Sequence, residues 1–489
     1  SEGCEFWAVK THLTKPASCF AAFIANTWDE PVHIEVEYDG QELDVGQFVK
    51  IPVGQGKNLT YGPYDPVAGL PPGQVAIAFL SRGPAVNQYD CPPCPVAPAI
   101  AEEVEVVDTG RGRGFRISTD RPVAAYQMLP YGSGDAAITS ATLLLPTSVW
   151  DTNYVVINAY KQSALLAPAA KPLWAVIAAE DDTQITLDPK VAVEGGPGVS
   201  GGPAEVPIVY TLNRGGTIQF AQAAELTGSP LAANKPVGVF GGANCFNVPI
   251  DADYCDGANQ QIPPIKALGS TYVAVRYKNR TMTNESPPWR LVGAVDGTLL
   301  TWSPAKPSGA PDTLSLGQVV EFNDPGPFVV RSQDSEHPFY LAAYMTGGKA
   351  YGERGDPEFV NVVPSEQYLD RYVFFTDPTY SETSLVVVRR KVDGSFADVN
   401  LGCAGTLGGW TAIDADHEYT RVDLVTGNFQ GVGGCANGRH EISSLYPIGV
   451  TVWGWGGPES VDFYTRNVSY AYPAGAAIRP LNDVQIIPQ

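Results

Sequence analysis

ISTDRPVAAYQ (Ile117–Gln127), PLAANKPVGVFGG (Pro230–Gly242), SQDSEHPFYLAAYMTGG (Ser332–Gly348) and SSLYPIGVTVWGWGG (Ser443–Gly457) are one phrase written four times: a polar stretch, a proline, then an apolar run. The prolines, Pro122, Pro236, Pro338 and Pro447, lie 114, 102 and 109 residues apart. A second phrase follows the first three copies, in LLLPTSVWDTNYVV, QIPPIKALGSTYVAV and VVPSEQYLDRYVFF. Its proline and tyrosine are eight apart each time: Pro146/Tyr154, Pro264/Tyr272 and Pro364/Tyr372. A register kept over such distances marks a chain built from about four copies of one unit.

Working outward, alternation of apolar and polar residues dominates and helical periodicity is scarce, so the unit is β. The second unit gives the scheme. LWAVIAAEDDTQITLD (Leu173–Asp188) reads as a hairpin turning at Asp181-Asp182, and IVYTLNRGGTIQFA (Ile208–Ala221) as one turning at Arg214-Gly215-Gly216. In the third hairpin, Pro236 opens the unit's last strand, where a proline gives up no ladder hydrogen bond. Val237 and Val239 then share one buried face. The other units repeat the order, with turns near Asp29-Glu30, at Asp296-Gly297 and at Asp393-Gly394.

About seven strands in ~110 residues is the size of a β-sandwich. The expected fold is all-β, with about four tandem sandwich units. A β-propeller is the alternative, although the unit is long for a four-stranded blade. The expected boundaries are 1–130 for a divergent first unit with an insert around Cys91, then 131–245, 246–348 and 349–480, and a tail or linker at 481–489.

Composition narrows the function. The 489 residues carry 31 basic and 52 acidic side chains, a formal charge of −21. Such a surface repels phosphate backbones and anionic lipid, which excludes nucleic acid as a partner class. No run of 18 apolar residues exists to span a membrane as a helix. The chain begins at Ser1 without Met and reads as a mature or excised product.

The eight cysteines fall into close couples, Cys4/Cys19, Cys91/Cys94, Cys245/Cys255 and Cys403/Cys435, which points to disulfides in an oxidising compartment. Zinc at Cys91-Pro-Pro-Cys94 would need further ligands, and no second CxxC or nearby histidine supplies them. A redox role would need a βαβ setting that is missing.

Other motifs are weighed in the same way. Gly198-Val199-Ser200-Gly201-Gly202 matches the hydrolase pattern G-x-S-x-G, but it lies in a Gly/Pro loop with no helix behind it. Asp251, Asp253 and Asp256 form the densest acidic turn and are weak calcium candidates; a disulfide-stapled loop explains them equally well. No other cofactor is indicated. Arg354-Gly355-Asp356 is a tripeptide that receptors read, here set at an inter-unit turn. Asn58, Asn279 and Asn467 begin glycosylation patterns. His12, His33, His337, His417 and His440 show no metal spacing. Trp453, Trp455, Phe463, Tyr464, Tyr470 and Tyr472 read mainly as packing, with an exposed subset able to stack on sugars or a partner.

The stretch Leu226–Ala274, with its "KPVGVFGG" strand, Cys245, Cys255, QIPPIKALG and STYVA, resembles the IgG-Fc-binding protein N-terminal domain family. PVAAYQ, GDPEFVNVVPSEQY and SYAYPAGAAI are similar to it as well, so the resemblance covers nearly the whole chain. GCEFWAV (Gly3–Val9) resembles the start of the family's bacterial-type extracellular versions. The resemblance implies an extracellular or cell-surface, disulfide-containing, non-enzymatic adhesion module, with Cys245 and Cys255 joined. It offers no catalytic residues.

The expected function is therefore a non-enzymatic surface binding module for protein or glycan. A self-assembling subunit of an extracellular fibre or sheath is the alternative, with LNDVQIIPQ (Leu481–Gln489) as a donated segment. A secreted hydrolase is the weaker third reading.

Overall fold

A computed structural model describes residues 1–14, 17–85, 91, 93–132, 138–458 and 467–488. The regular structure of the chain is nearly all strand, and its sheets repeat four times. In three units the recurrent phrase forms one long strand: Phe115–Leu129, Pro230–Phe246 and Arg439–Trp455. In the third unit the same path is broken into Phe328–Ser332 and Phe339–Met345 around Pro338.

The proline does not open this strand, as the sequence suggested. It sits in the middle, where the strand passes from one sheet of a sandwich to the other. Before Pro236, Leu231 faces Tyr154 and Leu187; after it, Val239 faces Val176 and Ile262. The fourth unit repeats this about Pro447, where Ile442 faces Tyr372 and Leu401, whereas Val452 faces Leu385 and Tyr472. At each crossing the long strand is bulged against its neighbour, where the register shifts between Gly3/Glu5, Asp151/Asn153 and Leu369/Arg371 and the long strand carries the extra residues, the proline among them. These extra residues lie outside this ladder, so a proline without an N–H costs nothing there.

The expected hairpins are also different. Pro172–Ala178 pairs with Gly216–Ala221 and the long strand, whereas Thr183–Leu187 pairs with Ile208–Leu212. The Asp181-Asp182 turn is thus an arch joining the two sheets. The Asp296-Gly297 turn does the same between Pro288–Gly293 and Thr298–Ser303. Asp182 and Gly297 take the left-handed backbone that such tight turns require. Turn chemistry fixes the reversal but not whether the flanking strands pair or part.

A further strand completes each unit's second sheet: Ser140–Leu144, Asp256–Ile262, Glu358–Asn361 and Ser469–Pro473. The first three lie in the next unit by the expected boundaries, so the units end about one strand later, at the Pro146, Pro264 and Pro364 turns. These four strands also meet one another. Ser140–Leu144 and Glu358–Asn361 each lie against both Asp256–Ile262 and Ser469–Pro473, closing a cycle. We call them the axial strands. The sandwiches are therefore arranged around an axis, an order shared with the propeller alternative although the units are not blades.

Every seam of this ring is specific. Arg214 grips Glu37 between the first and second units at 2.6 and 2.8 Å, and Arg290 grips Glu225 between the second and third at 2.8 and 3.0 Å. Lys278 reaches Asp423 between the third and fourth at 2.6 Å. Phe23 stacks on Phe375 to join the fourth unit to the first, with centroids 5.3 Å apart. The tail is docked on the same molecule. Asn482 donates to the carbonyls of Ile265 and Leu268, and the Ile486 N–H donates to Asn153 while its side chain enters the second unit's core.

Candidate binding face

The axial strands begin side by side. The Ser469 N–H donates to the Asp256 carboxylate at 2.9 Å, the Asp356 N–H donates to Ser469 Oγ at 2.8 Å, and the Thr139 N–H donates to Asp256. The starts of the four strands, with the described residues that lead into them, therefore gather at one end of the axis.

Two of these loops are tied in detail. Asn247–Cys255 is stapled by the Cys245–Cys255 disulfide, and Asn247 Nδ2 donates to the Ala252 carbonyl at 2.8 Å. Thr346–Pro357 is braced by Arg280, which donates to the carbonyls of Thr346 and Arg354 at 2.8 and 2.9 Å. Lys349 pairs with Asp253 and links the two loops. Beside them lies an open cavity of about 620 Å³ walled by Ile138, Leu166, Ala169, Ala170, Tyr254 and the Cys245–Cys255 bridge. Leu165, Leu166 and Tyr254 are exposed by 51, 43 and 40%, which gives this end an apolar rim on an otherwise acidic protein. A second, polar groove of about 530 Å³ runs along the seam of the fourth and first units, past Gln55, Asn400, Arg439, Glu441 and Ser443. Glu441 is held between Arg371 at 2.8 Å and Arg439 at 2.9 Å, and the two arginines help keep its carboxyl below the usual range despite partial burial.

The residues singled out in the sequence disperse. Asp251 and Asp253 are exposed, whereas Asp256 is fully buried, so the three do not converge on one point. Among the described residues, no three His, Cys, Asp or Glu side chains gather in a way that could hold a metal ion. Asp356 is fully buried and Arg354 pairs with Glu382 at 2.7 Å, so this RGD is not displayed. Ser200 lies exposed on a turn, its carbonyl accepting from Tyr210 at 2.8 Å. The histidines sit apart, His12 by Asn244, His33 by Asp120, His337 by Asp334, His417 by Asp414 and His440 stacked on Phe374. Trp453, Trp455, Tyr470 and Tyr472 are core residues, and Phe463 and Tyr464 lie outside the described residues.

The cysteine pairing needs one correction. Cys19 is bonded to Cys94 across 75 residues, not to Cys4, and this displaces the Cys91/Cys94 couple as well. Cys4 is exposed on the opening strand and Cys91 is buried. Cys403–Cys435 is bridged like Cys245–Cys255.

What sequence reading missed is the site's foundation. Asp256, Asp356 and Glu358 are fully buried at the start of the axial strands, and burial first of all drives each carboxyl well above its usual range. The signal was the matching placement of Asp256 and Asp356, each about 20 residues after its unit's proline.

The profile of the family described as IgGFc binding protein matches residues 140–454. The human IgGFc-binding protein is 26% identical over 296 residues, which is 58% of this chain and 5% of that protein. The chain thus spans only a small part of that relative's length. With more than half of its residues matched, the chain belongs to the IgGFc-binding family.

Proposed function

We propose that this member of the IgGFc-binding family is an extracellular, non-enzymatic binding module that engages a protein partner through the loop end of its ring. The family match over residues 140–454 carries this reading, because it spans the second and third units and most of the fourth. The three disulfides support an oxidising compartment. The human relative's name states what that protein binds, and antibody Fc is the first partner to test. Tandem β-units around an axis make a rigid platform for loops, and function on such scaffolds resides in the loops. The cis docking of the tail favours a binding module over a fibre subunit, whose tail would have to complete a neighbour.

The test is interferometry with the intact chain immobilised. IgG Fc, Fab and a panel of mucosal glycoproteins are passed over it, alongside labelling with a serine-hydrolase probe. Saturable binding of one protein, lost when Leu166 and Tyr254 are changed to Ser, is the expected result. Covalent labelling of Ser200, or no binding to any member of the panel, would contradict the reading.

A further inference from the structure

Three carboxyls stand at the junction of the four units with no ion pair among the described residues. Asp256 belongs to the second axial strand, and Asp356 and Glu358 to the start of the third; Thr139 of the first unit and Ser469 of the fourth close the cluster. Asp256 is saturated by donors: the N–H groups of Thr139, Gly257 and Ser469, and the Thr139 hydroxyl. The other two are not. Both carboxyl oxygens of Asp356 and Oε2 of Glu358 are buried and accept no hydrogen bond, Gly348 N–H approaching Asp356 without reaching good geometry. Glu358 Oε1 accepts from the Phe359 N–H at 2.8 Å, and the Ala471 N–H also lies near the carboxyl.

Among the described residues, Arg280 acts on Asp356 from nearby but forms no ion pair with it. Arg280 is committed to Glu285 at 2.7 Å, with both side chains fully buried, and Arg354 to Glu382 at 2.7 Å. The donors around Asp256 also exclude a metal cage, since N–H groups occupy the positions a cation would need. A buried carboxylate with neither cation nor donors is too costly to persist, and it takes up a proton instead.

We propose that this cluster is a proton-held joint, in which Asp356 and Glu358 are neutral carboxylic acids and the ring's axis is tightest in acid. Ionising them as pH rises places like charges beside one another among strands of three units, and loosens the loops above. Burial supports the sign, because it raises each carboxyl, whereas an unfolded Asp or Glu titrates near ~4. The stabilisation is complete below that value and is lost as pH rises toward the raised value. Each such carboxyl lowers the folding constant up to about tenfold per pH unit in that window. Other groups also titrate, including His12 and His440, which burial holds below the usual imidazole value. The informative quantity is therefore a difference between proteins.

The intact chain is compared with the double variant Asp356→Asn, Glu358→Gln, which keeps shape but cannot ionise. Denaturation midpoints are read from about pH 5 to about pH 9. The two should nearly coincide in acid, with the variant pulling ahead as pH rises. A difference that does not change with pH overturns the proposal. Should the double variant fail to fold, infrared spectra of the single variants Asp356→Asn and Glu358→Gln decide it. Burial also raises Glu105, Asp256 and Asp377, so a carboxylic-acid C=O band at about pH 8 weaker than in the unaltered protein is expected, and a band of unchanged intensity overturns the proposal.

Discussion

Tyr154, Tyr272 and Tyr372 do the same job in three units. Each hydroxyl donates to the carbonyl just after the recurrent proline, of Val237 at 2.6 Å, Phe339 at 2.5 Å and Ile448. Each also accepts from the backbone N–H three residues earlier, of Asp151 and Gly269 at 3.2 Å and Leu369 at 2.9 Å. The tyrosine thereby satisfies the polar groups that the bulge leaves out of the ladder. Changing Tyr154 to Phe should leave the fold intact and cost about 1–2 kcal/mol in chemical denaturation, the range for a lost buried hydrogen bond. A loss near zero would show that the bond is unimportant. The first unit already tolerates phenylalanine there, since Phe6 faces Ile117 as Tyr154 faces Leu231. The shared site was legible from the eight-residue spacing. Phe6 was not, because it has neither the hydroxyl nor the preceding proline. Cys19–Cys94 escaped for a different reason: proximity in sequence is a poor guide when folding brings residues 75 apart together.

At the scale of the element, the crossing strand is the unit's keystone. Pro230–Phe246 contributes to both sheets, and Val237 and Val239 on it are fully buried. Lys235, just before the crossing, reaches the Asp181 carbonyl and pairs with Glu180 at 3.7 Å, both at the surface. Val239→Asp should place an unpaired charge between Val176 and Ile262 and unfold the protein or lower its melting temperature steeply. Lys235→Ala should stay within about 0.5 kcal/mol of the unaltered chain. Circular dichroism melts of the two variants check both, and a mild effect of Val239→Asp would contradict the strand's placement. The alternation that marks these valines as buried is readable in sequence, as are the turns. The pairing is not. Asp181-Asp182 and Asp296-Gly297 reverse the chain equally well in a hairpin or an arch, and only the competition between local and distant partners decides which forms. Here the long strand wins, because it offers each short strand a neighbour in its own sheet.

For the molecule as a whole, the repeat period told the number of units and the all-β class, but not that the units close into a ring. Closure depends on contacts between residues hundreds apart, such as Phe23 with Phe375, Tyr126 donating to Val373, and Gln260 donating to Ala141 and Ala471 on either side of the axis. Nothing in a local pattern encodes these partners. Composition was equally silent on the buried carboxyls, since Asp256 and Asp356 look like turn residues until the strands behind them meet. Closure is also what gathers the starts of the four axial strands at one end, and the proposed binding face depends on it. Small-angle X-ray scattering on the intact chain tests closure most directly. A ring of this length should have a radius of gyration of about 23 Å or slightly more, as for a compact domain. Four sandwiches strung end to end would give roughly 40 Å and an elongated distance distribution, and that result would contradict the account.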